Sequence, residues 1–138
     1  MTVTGIEHVL VLSDDLDATR DFYCAVVGLH TGERPPLEFP GYWLYAESPA
    51  ACLHLAERGP YLRHLSTLGL AAGHRASGDI DHIAFDARDY ESAVARIEGS
   101  GLTPARNTVP GGPRQLFVDD PNGVRVEINV KTSLEAGD

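Results

Sequence analysis

Apolar residues alternate with polar ones along several short stretches of the chain. Between these stretches apolar positions recur at helical spacing. The first apolar run covers residues 6–12 and has a histidine, His8, inside it. Ser13, Asp14 and Asp15 then offer side-chain caps. Leu16, Thr19, Tyr23, Val26 and Val27 fall on one face of a helix, which Gly28 closes. Three strand-like runs follow, at roughly 30–35, 42–47 and 51–56, punctuated by Gly41 and Pro49. The same order then returns. A strand is predicted over 80–85, with caps at Asp86 and Asp89. A helical face of Tyr90, Ala93, Val94 and Ile97 follows, ended by Gly99 and Gly101. Strands at roughly 103–108, 114–119 and 124–130 complete the set. Pro110-Gly111-Gly112 and Asp120-Pro121-Asn122-Gly123 separate them, and such pairs are strong turn formers. The pattern predicts an α+β protein in which strand, helix and three strands are written twice.

The repeat can be followed residue by residue. Ile6-Glu7-His8-Val9 lies over Ile80-Asp81-His82-Ile83 at an offset of 74, and Gly28-Leu29 over Gly101-Leu102 at an offset of 73. At the second offset His54 corresponds to Glu127. Two matched pairs result, His8 with His82 and His54 with Glu127. A duplicated fold sets such pairs around a pseudo-twofold axis, so four side chains of metal-ligand type are expected to converge. Alternation along the last strand puts Arg125, Glu127 and Asn129 on one face and Val124, Val126, Ile128 and Val130 on the other. Cys52, His54 and Ala56 likewise share a face. A lone histidine in an apolar strand is ordinarily a hydrogen-bonded structural residue. Its recurrence at equivalent positions weakens that reading. Glutamate is depleted in strands and rarely buried without a partner, and a metal would be such a partner. The alternative is a glutamate on the solvent face of an edge strand.

Composition narrows the partners. The chain has 138 residues, the size of one domain, and 43% are hydrophobic. Its 20 Asp and Glu against 11 Lys and Arg give a formal charge of -9. That balance argues against nucleic acid and against anionic lipid as partners. No signal peptide is read at the start, and no apolar run approaches the ~20 residues of a membrane span, so a cytoplasmic location is expected. Cys24 and Cys52 form no motif and are expected as buried free thiols. Segment 57–78 joins module 5–56 to module 79–130. It has room for a short helix over 61–70, and serves either as a connection or as a lid over a site. His64 and His74 lie in it without repeat partners and are left out of the ligand set. Residues 119–123 are read as a turn. No phosphate loop, dinucleotide fingerprint or nucleophile elbow is present.

The residues Ile6-Glu7-His8, the Phe22-Tyr23 pair before Gly28-Leu29, Asp81-His82-Ile83-Ala84-Phe85, and the run from Phe117 through Asp120-Pro121-Asn122-Gly123 to Glu127 together resemble the vicinal oxygen chelate superfamily. That group includes glyoxalase I, extradiol dioxygenases and bleomycin-resistance proteins. The resemblance spans residues 5–130. It implies one domain, 1–138, of two βαβββ modules forming a curled mixed sheet around a metal cavity. It also implies a homodimer, with metal sites shared between chains in many members. Its ligand positions map onto His8, His82 and Glu127, with one divalent ion per chain (Fe, Zn, Ni, Mn or Co). Glyoxalase I members carry a fourth ligand, a glutamate, where this chain has His54. His54 is therefore expected as a fourth ligand, as a base or in a supporting role, and Glu127 as the catalytic carboxylate. Two histidines and a carboxylate leave positions open for a small substrate with vicinal oxygens. A glyoxalase-like lyase or isomerase is the leading expectation. An Fe(II) extradiol dioxygenase and a non-enzymatic binder of small ligands or drugs are the alternatives. Tyr42, Trp43, Tyr45 and Phe117 are candidates to line an aromatic pocket, or else pack in the core.

Overall fold

A computed structural model describes residues 1–2, 5–69, 80 and 82–131. The described residues build strands β1 (Val9–Ser13), β2 (His30–Thr31), β3 (Gly41–Tyr45), β4 (Ala51–Glu57), β5 (His82–Ala87), β6 (Ala105–Thr108), β7 (Arg114–Asp119) and β8 (Arg125–Val130). Helix α1 (Leu16–Phe22) runs on through a π-helical turn, Tyr23–Val27. Helices α2 (Arg58–Thr67) and α3 (Tyr90–Gly99) complete the set. Two βαβββ modules are present, as the repeat predicts. Their sheets have the same topology, β1-β4-β3-β2 and β5-β8-β7-β6. In each, the first strand runs parallel to the last, and the remaining neighbours are antiparallel.

The expected single sheet curled around a metal cavity does not form. Two four-stranded sheets stand in its place, each open, with edge strands β1 and β2 in one and β5 and β6 in the other. Among the described residues no group of three or more His, Cys, Asp or Glu side chains is placed to hold a metal ion. The reason lies in the pairing. The first strand of each module pairs with the last strand of the same module, and every strand ladder among the described residues joins strands of one module.

The residues gather into two compact units whose boundary falls inside the first helix. Residues 1–20 belong with β2, β3, β4 and α2, while 21–28 belong with β5 to β8 and α3. In the first unit Leu44, Leu53 and Leu55 are fully buried. Asp15 caps α1 by accepting from the Ala18 amide at 3.1 Å, and a buried Ser13–Thr19 hydroxyl pair at 2.7 Å ties the strand to the helix. In the second unit the core is Tyr23, Val26, Ile97, Leu116, Val126 and Ile128. Of the apolar face predicted for the last strand, Val126, Ile128 and Val130 are buried, and Val124, just before β8, is half-buried. Gly28, in the left-handed region at φ 88°, ends the π turn by donating its amide to the Tyr23 carbonyl. Asp89 caps α3 through the Ser92 amide.

Several boundaries differ from those the sequence suggests. β1 begins at Val9, so His8 precedes the strand. β2 is two residues long, shorter than the run at 30–35 suggests, and Pro35 and Pro36, which lack a ladder donor, lie beyond it. α2 starts at Arg58, three residues before the predicted helix. Cys24 and Cys52 are half-buried and form no disulfide. Residues 70–78 of the segment 57–78 read as a connection or a lid, with His74, and Asp81 of the second histidine motif lie outside the described residues. No helix among the described residues is long and apolar enough to cross a membrane.

Candidate active site

The four expected ligand residues fall into two pairs, one in each unit. In the first unit His54 comes from the middle of β4, directly opposite Trp43 of β3. Its ring is stacked between two others, 3.7 Å from His8 and 4.1 Å from Trp43 by ring centroids, with interplanar angles of 14° and 7°. Burial, then the neighbouring His8, holds the His54 imidazole below its ordinary range. The ring is therefore neutral at pH 7, the state that a ligand or base requires. His8 Nδ1 lies 2.9 Å from Glu7 Oε1.

In the second unit Glu127 sits in β8 with 7% of its surface exposed. Its register partners are Ala84 of β5 and Phe117 of β7. His82 opens β5 on the same face, and its Nε2 lies 3.8 Å from Glu127 Oε1. Each carboxylate oxygen also accepts from an amide. Asn129 Nδ2 donates to Oε2 at 2.7 Å and Gln115 Nε2 to Oε1 at 3.3 Å. Gln115 donates again to Asn129 Oδ1 at 3.0 Å, and its own oxygen accepts from Asn107 Nδ2 at 2.8 Å. The cost of burying a carboxylate is thus met by amide donors. A shallow cavity of about 350 Å³ opens beside this row, bordered by Ala84, Asp86, Pro113, Asn129 and Lys131.

Sequence reasoning picked out the carboxylate and missed the amides around it. Asn129 shares the strand face with Glu127 by alternation, a signal that was present. Gln115 and Asn107 are placed by register across β6, β7 and β8, which alternation within one strand does not reveal. Of the aromatic candidates only Trp43 stands in the histidine stack. Tyr42 donates its hydroxyl to Asp17 and accepts from Arg20, while Tyr45 donates to the Glu33 carbonyl. Arg58, at the start of α2, is engaged by Asp14 at 3.0 Å. His64 lies against Phe39.

Three imidazoles and a carboxylate suit a divalent first-row ion in donor chemistry. The two pairs suit it unequally. Two donors 3.8 Å apart can both reach one ion at metal–ligand distances of roughly 2.1 Å, so the separation of His82 and Glu127 is compatible with a shared ion. The His8 and His54 rings lie face to face, so their nitrogen lone pairs lie in nearly parallel planes. One of those rings must turn before both nitrogens point at a common ion.

Comparison with known proteins agrees with the fold. Residues 5–128 match the model of the Glyoxalase/Bleomycin resistance protein/Dioxygenase superfamily. The Arabidopsis thaliana protein Glyoxylase I 4 is 28% identical over 130 residues, covering 91% of this chain and 70% of its own length. Among solved structures, a lactoylglutathione lyase from Agrobacterium tumefaciens superposes with a TM-score of 0.63 at 20% identity, covering 94% of this chain and 96% of its own. TnmS3, an antibiotic-binding protein from a Streptomyces species, gives 0.68 at 17% identity, covering 96% and 99%. A glyoxalase/bleomycin resistance protein/dioxygenase from Nocardioides gives 0.63 at 21% identity, covering 96% and 87%. These three show the shared fold, and the matched model together with the two congruent βαβββ modules shows the family: the chain belongs to the glyoxalase/bleomycin resistance protein/dioxygenase superfamily.

Proposed function

We propose that this protein is a divalent-metal-dependent enzyme of glyoxalase-like lyase or isomerase type, acting in the cytoplasm on a small substrate with neighbouring oxygens. The observation that carries the reading is the buried Glu127 carboxylate with His82 Nε2 at 3.8 Å, at positions whose repeat equivalents are His54, in β4, and His8, just before β1. The name of the Arabidopsis relative supports the same side. His8, His54, His82 and Glu127 are the candidate donors in this reading. When bound, it supplies Lewis-acid polarisation of the substrate oxygens. Glu127 moves the proton, taking it from the carbon beside one oxygen and returning it to the adjacent carbon. His54, neutral and half-buried, is the fourth donor or the alternative base. The chain acts as a homodimer, the form that the family resemblance favours.

The test is elemental analysis of untagged protein, followed by turnover assays on 2-oxoaldehyde hemithioacetals and on catechols. About one divalent ion per chain and turnover of the 2-oxoaldehyde adduct are expected. Protein that stays metal-free after incubation with Fe(II), Zn(II), Mn(II), Ni(II) and Co(II) overturns the reading. Ring cleavage of a catechol with uptake of O₂ moves the assignment to an extradiol dioxygenase.

The His8–His54–Trp43 stack favours a second reading, a binder of planar small molecules without turnover. The likeness to antibiotic-binding TnmS3 supports it. Trp43 is the chain's one tryptophan. Saturable quenching of its fluorescence by a planar aromatic ligand, in protein without metal or activity, would establish this reading in place of the first.

A further inference from the structure

We infer that Gln115 and Asn129 are positioning residues that hold the Glu127 carboxylate in one orientation for an ion. The inference rests on the proposed metal role of Glu127. Each oxygen of that carboxylate has its own amide donor, Asn129 Nδ2 on Oε2 at 2.7 Å and Gln115 Nε2 on Oε1 at 3.3 Å. The two amides are locked to each other, because Gln115 Nε2 also donates to Asn129 Oδ1 at 3.0 Å. Asn107 Nδ2 completes the row by donating to Gln115 Oε1 at 2.8 Å. This network has one self-consistent arrangement. Turning the Gln115 amide over would set its oxygen against both Glu127 Oε1 and Asn129 Oδ1. Turning Asn129 over would set its oxygen against Glu127 Oε2. The amide orientations are therefore fixed jointly, and with them the plane of the carboxylate.

The row follows from sheet register. Asn107 lies opposite Gln115, and Gln115 opposite Asn129, so three amides cross β6, β7 and β8 in line. Glu127 stands two residues before Asn129 on the same face. Its Oε1 carries the longer amide contact and also lies toward His82 Nε2, so this is the oxygen with capacity left for an ion. Oε2 is taken by the shorter bond. Among the described residues the first unit shows no such amide row. Gly41 and Ala56 are paired there as Gln115 and Asn129 are paired here, so His54 is set by ring stacking instead. Residues that orient a metal ligand typically cost ~10- to 100-fold in metal affinity or activity when removed.

The experiment is a Co(II) titration of the full-length metal-free protein, followed by visible absorption, for wild type, Asn129→Leu and Gln115→Met. Thermal unfolding of each metal-free variant is measured alongside. Asn129→Leu is expected to weaken Co(II) binding by ~10- to 100-fold and to alter the d–d bands, since the carboxylate is free to rotate. Gln115→Met, which removes the longer bond, is expected to shift both in the same direction by less. Variants that remain folded and match wild type in affinity and spectrum overturn the inference. If Asn129→Leu does not fold, Gln115→Met decides the matter on the same two readouts. Wild-type protein that takes up no Co(II) overturns the metal role itself. That failure is read from the wild type alone and is distinct from a variant that binds as the wild type does.

Discussion

His54 stands where the first unit departs most from the second. Its repeat counterpart Glu127 is held by amides, whereas His54 lies between two rings and is kept neutral by burial. Replacing it with alanine separates the roles that a histidine in this place can fill. As a ligand, its loss should lower metal content together with turnover, leaving a weaker site. As a base, its loss should leave metal content near that of the wild type while kcat falls by roughly 10²- to 10⁴-fold. The ligand role is the one expected, because His54 occupies the strand position of Glu127. Metal content and kcat measured for His54→Ala beside His8→Ala check it. Full occupancy and full activity in the His54 variant would contradict both roles, leaving a ring whose contribution is packing. A stacked ring contributes ~0.5–1.5 kcal/mol beyond its buried area, so a modest loss of stability is expected in either case.

The first helix shows how far an element can be read ahead of its structure. Its cap at Asp15, its apolar face and its closing Gly28 are all legible, since each depends on local chemistry. The widening into a π turn over Tyr23–Val27 is not, because a helical spacing of apolar residues does not register one extra residue per turn. Nor is the destination of Tyr23. Its phenol is wholly buried and donates to Asp120 Oδ2 at 2.8 Å, in the segment 119–123 that the sequence presents only as a turn. Asp120 holds that turn together by accepting from the Asn122 and Val124 amides, which makes the phenol its long-range anchor. The same limit hid Gln115. The repeat offset suggests Tyr42 as its counterpart, but the sheet pairs Gly41 with Ala56 as it pairs Gln115 with Asn129, a shift of one residue within the third strand. Such a shift is decided by pairing between strands, which no single strand encodes. Tyr23 also yields a prediction about pH. Burial, and after it the Asp120 carboxylate, raises the Tyr23 phenol far above its ordinary range. An unfolded chain ionises this phenol near pH ~10, while the folded chain keeps it protonated. The stabilising contribution is therefore complete below about pH 10 and is lost as pH rises beyond it. Tyr23→Phe should cost about 1–3 kcal/mol at neutral pH. It should also flatten the decline of unfolding temperature above pH ~10. A variant with an unchanged alkaline profile would show that the hydrogen bond carries little.

At the scale of the molecule the proposed homodimer sets a mass to look for. Light scattering at micromolar protein should give twice the 14.9 kDa of one chain, and a single-chain mass that does not change with concentration would remove the dimer from the reading. The division of the first helix between the two units also matters for how the chain reaches this state. Residues 21–28 lie in sequence amid the strands of the first module, yet their buried side chains belong to the core of the second. The Tyr23–Asp120 bond joins residues 97 apart. Contacts across such separations are slow to form, because the loop between them must close before any of their energy is gained. On a ribosome, the strands of the early module emerge first, while residues 21–28 still lack the core they belong to. Its helix stays half unburied until the last strands emerge. Although the sequence is written as two successive passages, folding completes them together, and the second copy serves as the template on which the first is finished.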